Sequence, residues 1–292
     1  MNFAPAIRSP LPWMGGKHHM ARFILSAFPH PGTHDVYCEP FMGGCHVIAQ
    51  KPISGHYEAI NDINGDLVNF WMHCRNYPEK LQQYLDDLPY SRQLHYDYHT
   101  SLFDGTELDP LERAARWFYV LQSSFSAHLK PTSVGWRNAP RNADRNAVRG
   151  QPHAFHSAID LFSVMAERLR FVEIDNRDFE TVICQHARPR TLFYCDPPYI
   201  GTEMYYSTGG HFSLADHERL AQILNATPAM VILSYYDDPL LSELYPASKW
   251  RRITWETFKH SQRTKETHST ATELLLMNYP APAGLWQLDS GK

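Results

Sequence analysis

No stretch of this 292-residue chain approaches the ~18 to 20 uninterrupted apolar residues that a membrane-spanning helix needs. Its opening, MNFAPAIRSPLP, lacks the basic-then-apolar layout of a secretory leader. A soluble, cytoplasmic protein is the expectation. Cysteine is sparse: Cys38, Cys45, Cys74, Cys184 and Cys195 are odd in number and form no CxxC pair, so neither a disulfide framework nor a zinc motif is suggested. They are expected to be reduced and mostly buried. The 17 histidines are scattered, only His18 and His19 adjoin, and there is no HExxH helix, so no metal is expected. No GxGxxG turn is present, and no pyrophosphate cradle is evident. There is no internal repeat and no excess of positive charge; with a formal charge of −4, any nucleic-acid surface must be local.

What the chain does have is enough apolar material, 43% of its residues, for one large domain with an insertion or for two modest domains. Two basic stretches stand out. Lys130, Arg137, Arg141, Arg145 and Arg149 are opposed only by Asp144, and Lys249, Arg251, Arg252, Lys259, Arg263 and Lys265 only by Glu256.

Short β-branched and aromatic runs alternate with helix-like segments, the rhythm of an α/β fold with a mainly parallel sheet. Strands are expected at Asp35 to Glu39, Tyr57 to Asp62, Phe171 to Asp175, Leu192 to Asp196, Ala229 to Ser234, Arg251 to Trp255 and Glu273 to Tyr279. The gap from about residue 65 to 170 is too long for a connection and must hold its own structure. Helices are expected over Leu111 to Leu121 and Ile159 to Leu169. Asn-, Arg- and Pro-rich Pro131 to Pro152 reads as an exposed loop or hairpin.

The chemistry-bearing residues fall at strand ends, where open α/β sheets bind ligands. Asp196-Pro197-Pro198-Tyr199 closes an apolar strand. Two prolines fix φ in succession and present carbonyls without competing N–H groups, so Asp196 and a carbonyl can accept both hydrogens of an exocyclic amine while Tyr199 offers a flat face to a base. Glu39-Pro40-Phe41-Met42-Gly43-Gly44 forms a strand, glycine turn and helix entry, followed ~20 residues on by Asp62 and Asn64, where a carboxylate can accept from a ribose diol. Asn176-Arg177-Asp178-Phe179 adds a carboxylate and a ring for an adenine. Trp13-Met14-Gly15-Gly16-Lys17 leads into a helix containing Met20, Phe23, Ile24 and Phe28, a layout that can hold a carboxylate or phosphate. These pieces fit an adenosine cofactor without separating a nicotinamide dinucleotide from S-adenosylmethionine.

In this order, and with Glu273-Leu274-Leu275-Leu276-Met277-Asn278-Tyr279 late in the chain, the motifs resemble the Dam-like, D12 class, alpha-group N6-adenine-specific DNA methyltransferases over most of the sequence. The resemblance implies a Rossmann-like seven-stranded sheet with an antiparallel last strand. The catalytic domain would comprise residues 1–64 and 171–292, and a smaller, mainly helical target-recognition domain residues 65–170. It further implies S-adenosyl-L-methionine as cofactor. Trp13, Gly16 and Lys17 would serve its methionine end, Glu39, Pro40, Phe41, Gly43 and Gly44 the turn beneath it, Asp62 and Asn64 its ribose, and Asp178 and Phe179 its adenine. Asp196, Pro197, Pro198 and Tyr199 would hold a flipped base, and Lys130, Arg137, Arg141, Arg145 and Arg149 double-stranded DNA.

The family keeps a very small residue where this chain has Cys45, and its GATC-reading stretch is replaced here by Ser124 to Lys130. N4-cytosine transfer, or a catalytically silent DNA-binding protein of the same fold, stays open as an alternative. A bacterial or phage-encoded monomer or weak dimer is expected, with restriction-modification, viral self-protection and regulation all possible roles. A C5-cytosine route would need a Pro-Cys pair, and no cysteine follows a proline.

Overall fold

The computed structural model describes residues 7–125, 129–132, 135–137, 150–201, 212–258 and 270–280. Among these, seven strands form one sheet in the order β3-β2-β1-β4-β5-β7-β6. They are β1 (Val36–Glu39), β2 (Tyr57–Asn61), β3 (Val172–Asp175), β4 (Thr191–Cys195), β5 (Met230–Tyr236), β6 (Arg251–Phe258) and β7 (Thr270–Met277). Every strand expected from the sequence is present, its ends moved by at most a few residues.

β1 runs parallel to β2 and β4, and β4 to β5, whereas β7 is antiparallel to both β5 and β6. The last strand therefore reverses, as the Rossmann-like methyltransferase sheet implies. All five residues of β4 are buried and so are the last three of β1. Such uninterrupted burial suits the middle of a sheet covered on both faces.

The chain packs as two compact units, Met1–Ala21 with Met42–Pro52 and Asp62–Asn176, and Arg22–Phe41 with Ile53–Asn61 and Arg177–Lys292. The second unit holds every strand but β3, together with α9 (Phe179–His186), α10 (Leu214–Ala226) and α11 (Leu240–Leu244). Its core joins Cys38, Phe193, Cys195, Val231, Leu233 and Leu276 of the sheet to Val182 and Ile183 of α9 and Leu220 and Leu224 of α10.

The first unit is helical apart from β3, with α2 (His46–Gln50), α3 (Gly65–Asn76), α4 (Pro78–Asp86), α5 (Arg92–Phe103), α6 (Pro110–Ser123), α7 (Gly150–Ile159) and α8 (Phe162–Leu169). Its centre is aromatic: Phe70 of α3 stacks on Phe118 of α6 at 5.3 Å and meets Trp117 and Phe162 at 5.7 Å. An Arg113–Asp66 fork, 2.5 and 3.0 Å, ties α6 to the first turn of α3.

Three details differ from expectation. The helix expected over Ile159 to Leu169 starts later, as α8 at Phe162, and a further helix, α7, precedes it and ends at Ile159. An apolar spacing of three to four residues (Phe155, Ile159, Phe162, Met165, Leu169) runs through both helices, so periodicity could not place the boundary between them. The loop expected to reach Pro152 ends sooner, because α7 begins at Gly150 and tolerates Pro152 in its first turn, where no intrahelical N–H is needed. The first helix, α1 (Ala21–Ser26), stops short of Phe28, and Pro29 disfavours its continuation.

Phe193, fully buried at the centre of β4, offers a direct test of the packing. Phe193→Ala is expected to lower unfolding free energy by ~3 to 5 kcal/mol in urea titration; a loss under ~1 kcal/mol would mean that this strand is not central to the core.

Candidate active site

From β1 the chain passes to β2 on one side, while β4 lies against β1 on the other. Loops leaving the carboxyl ends of β1 and β4 therefore diverge, and such a switch point leaves a crevice in a doubly wound sheet. Glu39-Pro40-Phe41 leaves β1 there, and Asp196-Pro197-Pro198-Tyr199 leaves β4. The pairing of Cys38 with Phe193 sets the two segments side by side.

Within this second unit the edge is held by few side chains. Glu39 is buried and accepts a 2.6 Å hydrogen bond from the Tyr37 hydroxyl. The Asn61 amide donates to the carbonyls of Pro40 (3.0 Å) and Arg177 (2.9 Å) and accepts from the Arg177 N–H (2.8 Å). One side chain thus ties the turn after β1 to the turn before α9. As a result Phe41 lies 5.4 Å from Phe179, and Phe212 closes the cluster at 5.8 and 5.6 Å. Asp178 caps α9 through the Glu180 N–H and is forked by Arg219 of α10.

Asp196 and Pro198 are half-buried and Pro197 buried. Tyr199 is 6% exposed, its ring 5.6 Å from Tyr235 and 4.6 Å edge-on from Tyr236, so its plane is fixed by packing and little of it is open. Cys195 is buried in β4, and burial first, then the neighbouring Asp196 charge, push its thiol well above the ordinary range. It is no thiolate nucleophile.

In the first unit the two glycine segments meet. The Gly16 N–H donates to the Trp13 carbonyl (3.1 Å), and a Cβ on Gly16 would lie 2.5 Å from His46 Nε2. A Cβ on Gly43, whose φ is +46°, would lie 2.7 Å from Trp13 Nε1, and one on Gly44 2.6 Å from His46 Nε2. Only glycine fits between these two rings. Lys17 is buried, against the solvent-facing lysine usual at a helix entry, and donates to the Gly15 carbonyl at 2.7 Å.

Asp62 gathers this turn. Its Oδ2 accepts from the Gly43 N–H and its Oδ1 from the Asn64 N–H, both at 3.0 Å, while Trp71 donates to the Gly43 carbonyl at 3.1 Å. Burial outweighs these donors and pushes the Asp62 carboxyl up to about 6. Asn64 is used locally, capping α3 through the N–H groups of Asp66 and Leu67. Cys45 stands at φ 55° and ψ 33°, and among the described residues it alone is a non-glycine with positive φ. The conformation costs an L-residue roughly 1 to 2 kcal/mol.

Of the basic residues, Lys130 gives its carbonyl to His99 Nε2 (2.8 Å), and Arg137 donates its N–H to the Ser123 carbonyl (2.7 Å) beside an antiparallel bridge of Ser124 to Trp136. Most of the loop or hairpin expected over Pro131 to Pro152 lies outside the described residues. Arg141, Arg145 and Arg149 lie outside the described residues, as do Lys259, Arg263 and Lys265. In the second basic run Lys249 donates to the Asn225 carbonyl and Arg252 to that of Leu241, so two of its cations brace the fold.

Sequence reasoning missed Asn61, Trp71, His46, Arg219 and the Tyr235-Tyr236 pair. The pair ends β5 at the same sheet edge and could have been found by that rule. Arg219 sits in an ordinary amphipathic helix, and nothing local marks it. Among the described residues no helix is long and apolar enough to cross a membrane, and no three His, Cys, Asp or Glu side chains gather as a metal would need.

The profile of the D12 class N6 adenine-specific DNA methyltransferases matches residues 13–260. The chain is 27% identical to the type II methyltransferase M1.LlaDCHI of Lactococcus lactis subsp. cremoris, over 91% of its own length and 94% of that protein. It is 25% identical to the retron Ec67 DNA adenine methylase of Escherichia coli, over 80% and 79%.

The raised Asp62 carboxyl makes the fold pH-dependent. Ionisation starts in the unfolded chain near the ordinary 3.8 and in the folded chain only near 6, so stability is highest below 3.8, falls as pH rises between the two and levels off above. Asp62→Asn cannot ionise. Urea titrations from pH 4 to 7 should therefore show wild type losing ground to the variant up to about pH 6 and then holding a constant offset. A pH-independent offset would mean that this carboxylate titrates normally.

Proposed function

The chain belongs to the D12 class N6 adenine-specific DNA methyltransferases, and from that membership we propose how its residues divide the work of methylating N6 of an adenine in double-stranded DNA. The observation that carries this reading is the switch point between β1 and β4, from which Glu39-Pro40-Phe41 leaves on one strand and Asp196-Pro197-Pro198-Tyr199 on the other.

S-adenosylmethionine, when bound, supplies an electrophilic methyl carbon on a sulfonium. The donor set suits it: a half-buried carboxylate beside a glycine turn for a ribose diol, and a carboxylate beside three clustered phenylalanines for an adenine. In this reading Asp62 takes the ribose and Asn64 shapes the turn that carries it. Asp178 and Phe179 take the adenine, with Phe41 against it. Trp13, Gly16 and Lys17 serve the methionine end, and Glu39, Pro40, Gly43 and Gly44 form the wall beneath.

Asp196 and the Pro197 carbonyl accept the two hydrogens of the target amine. That draws the nitrogen lone pair out of conjugation with the ring and aims it. The Asp196 carboxylate is then placed to hold the proton that the nitrogen sheds. The two prolines keep both acceptors still, so little reorganisation is needed during the reaction. The base must leave the duplex to reach them, and Tyr199, its plane set by Tyr235 and Tyr236, borders the place it enters.

Residues 65–170 form the target-recognition part, with Lys130, Arg137, Arg141, Arg145 and Arg149 along the duplex. The bacterial relatives suggest a cytoplasmic setting.

Asp196→Ala should reduce transfer of labelled methyl to N6-methyladenine by ~100-fold or more, with cofactor affinity by calorimetry nearly unchanged; a near-normal rate would overturn the role of Asp196. For DNA, replacing Arg137, Arg141, Arg145 and Arg149 by Ala should flatten the slope of log K against log salt by ~0.9 per lost phosphate contact. An unchanged slope would make that stretch a solvated surface.

A further inference from the structure

Arg219, on α10, is bound by three carboxylates and a ring, and no sequence motif includes it. Its Nη1 and Nη2 fork onto Asp178, at 3.1 Å to Oδ1 and 2.9 Å to Oδ2. Nη1 also reaches Glu180 Oε2 at 3.2 Å, and Nη2 reaches Asp216 Oδ1 at 3.0 Å. Its Cζ stands 4.2 Å from the centroid of Phe179. Asp216 is itself fixed in a capping box with Ser213 at the start of α10, so the guanidinium is anchored from its own helix as well as from α9. A planar fork holds a carboxylate in one orientation, which a single ammonium cannot do.

The consequence lies in what remains of Asp178. Oδ1 already accepts from the Glu180 N–H (2.9 Å) and from Arg219, and Oδ2 accepts from Arg219. A carboxylate has about four lone-pair positions. Among the described residues three are taken, and the one left is on Oδ2, with its direction set by both the cap and the fork. Beside it lies the Phe179 ring, one face against the guanidinium and its surroundings filled by Phe41 and Phe212. A single fixed acceptor next to an aromatic ring suits a flat heterocycle with one N–H donor on its rim. An amino-purine has that donor. A hypoxanthine presents a carbonyl there, which would face the carboxylate as acceptor against acceptor.

We propose that Arg219 is a positioning residue that gives the cofactor pocket its selectivity for an adenine over an oxo-purine nucleoside, by orienting Asp178 and bracing Phe179. The inference rests on the reading that these two residues take the cofactor's adenine. Losing a hydrogen bond to a charged acceptor costs about tenfold to a hundredfold in binding.

Calorimetric titration with S-adenosylhomocysteine and with its hypoxanthine counterpart, S-inosylhomocysteine, tests this directly. Wild type should prefer the adenine form by about tenfold or more. Arg219→Met keeps an apolar stem over Phe179 but removes the fork; its preference should collapse toward unity, and KM for S-adenosylmethionine should rise much more than kcat falls. Arg219→Lys should restore little of the preference, and Arg219→Gln serves for the comparison if the methionine variant does not fold. A merely structural tie would weaken both ligands equally, so an Arg219 variant that retains the wild-type ratio overturns the proposal. Asp178→Asn separates the underlying reading. If that variant keeps full affinity and the same ratio, the adenine does not sit at Asp178, and the role of Arg219 falls with it.

Discussion

Backbone polar groups at the carboxyl edge of a buried parallel sheet have to find partners after the ladder ends, and this necessity organises the whole site. The strands stop, but the chain leaving them still runs close to the core, where an unpaired N–H or carbonyl costs about 1 to 3 kcal/mol. Here the demand is met by short polar side chains at the strand ends. Asn61 satisfies three backbone groups at once, Asp62 two and Asn64 two more, and Asp178 begins α9. Each keeps a turn still; the carboxylates among them also retain accepting capacity, and that remainder is what a ligand can use.

Electrostatics follow from the same arrangement. The folded chain buries Glu39 and partly buries Asp62, and for Asp62 the desolvation outweighs its hydrogen-bond donors. Tyr37 serves Glu39, and two backbone N–H groups serve Asp62. Around the glycine turn the opposite sign is suppressed: His46 is pushed down to about 3, by burial first and then by His18 and Lys17. Its neutral ring can therefore pack against Gly16 and Gly44 as a spacer.

The same corner explains why Cys45 is tolerated. Its left-handed backbone is strained, yet Asp62, Trp71, Trp13 and His46 all bear on the turn around it, so the conformation is over-determined by its surroundings. Strain of this kind survives where packing leaves no alternative, and it favours a preformed turn over one that forms on binding.

Much of this protein could be read from its residues alone. The seven strands announced themselves as apolar runs ending in acids and turn residues, because a strand buried on both faces has no room for alternation. Asp196-Pro197-Pro198-Tyr199 and Glu39 to Gly44 were visible because their rigidity is written in proline and glycine. The helix α7 was missed, since the Asn-, Arg- and Pro-rich stretch before it reads as a loop running on to Pro152. So were the partners of the motif residues: that Lys17 is buried, that Tyr199 lies edge-on to Tyr236, and that Arg219 grips Asp178 from a helix 41 positions later. Local chemistry determines which residues can accept, bend or stack; only the folded chain decides which of their lone pairs and faces are already taken, because those partners arrive from distant segments whose spacing obeys no local rule.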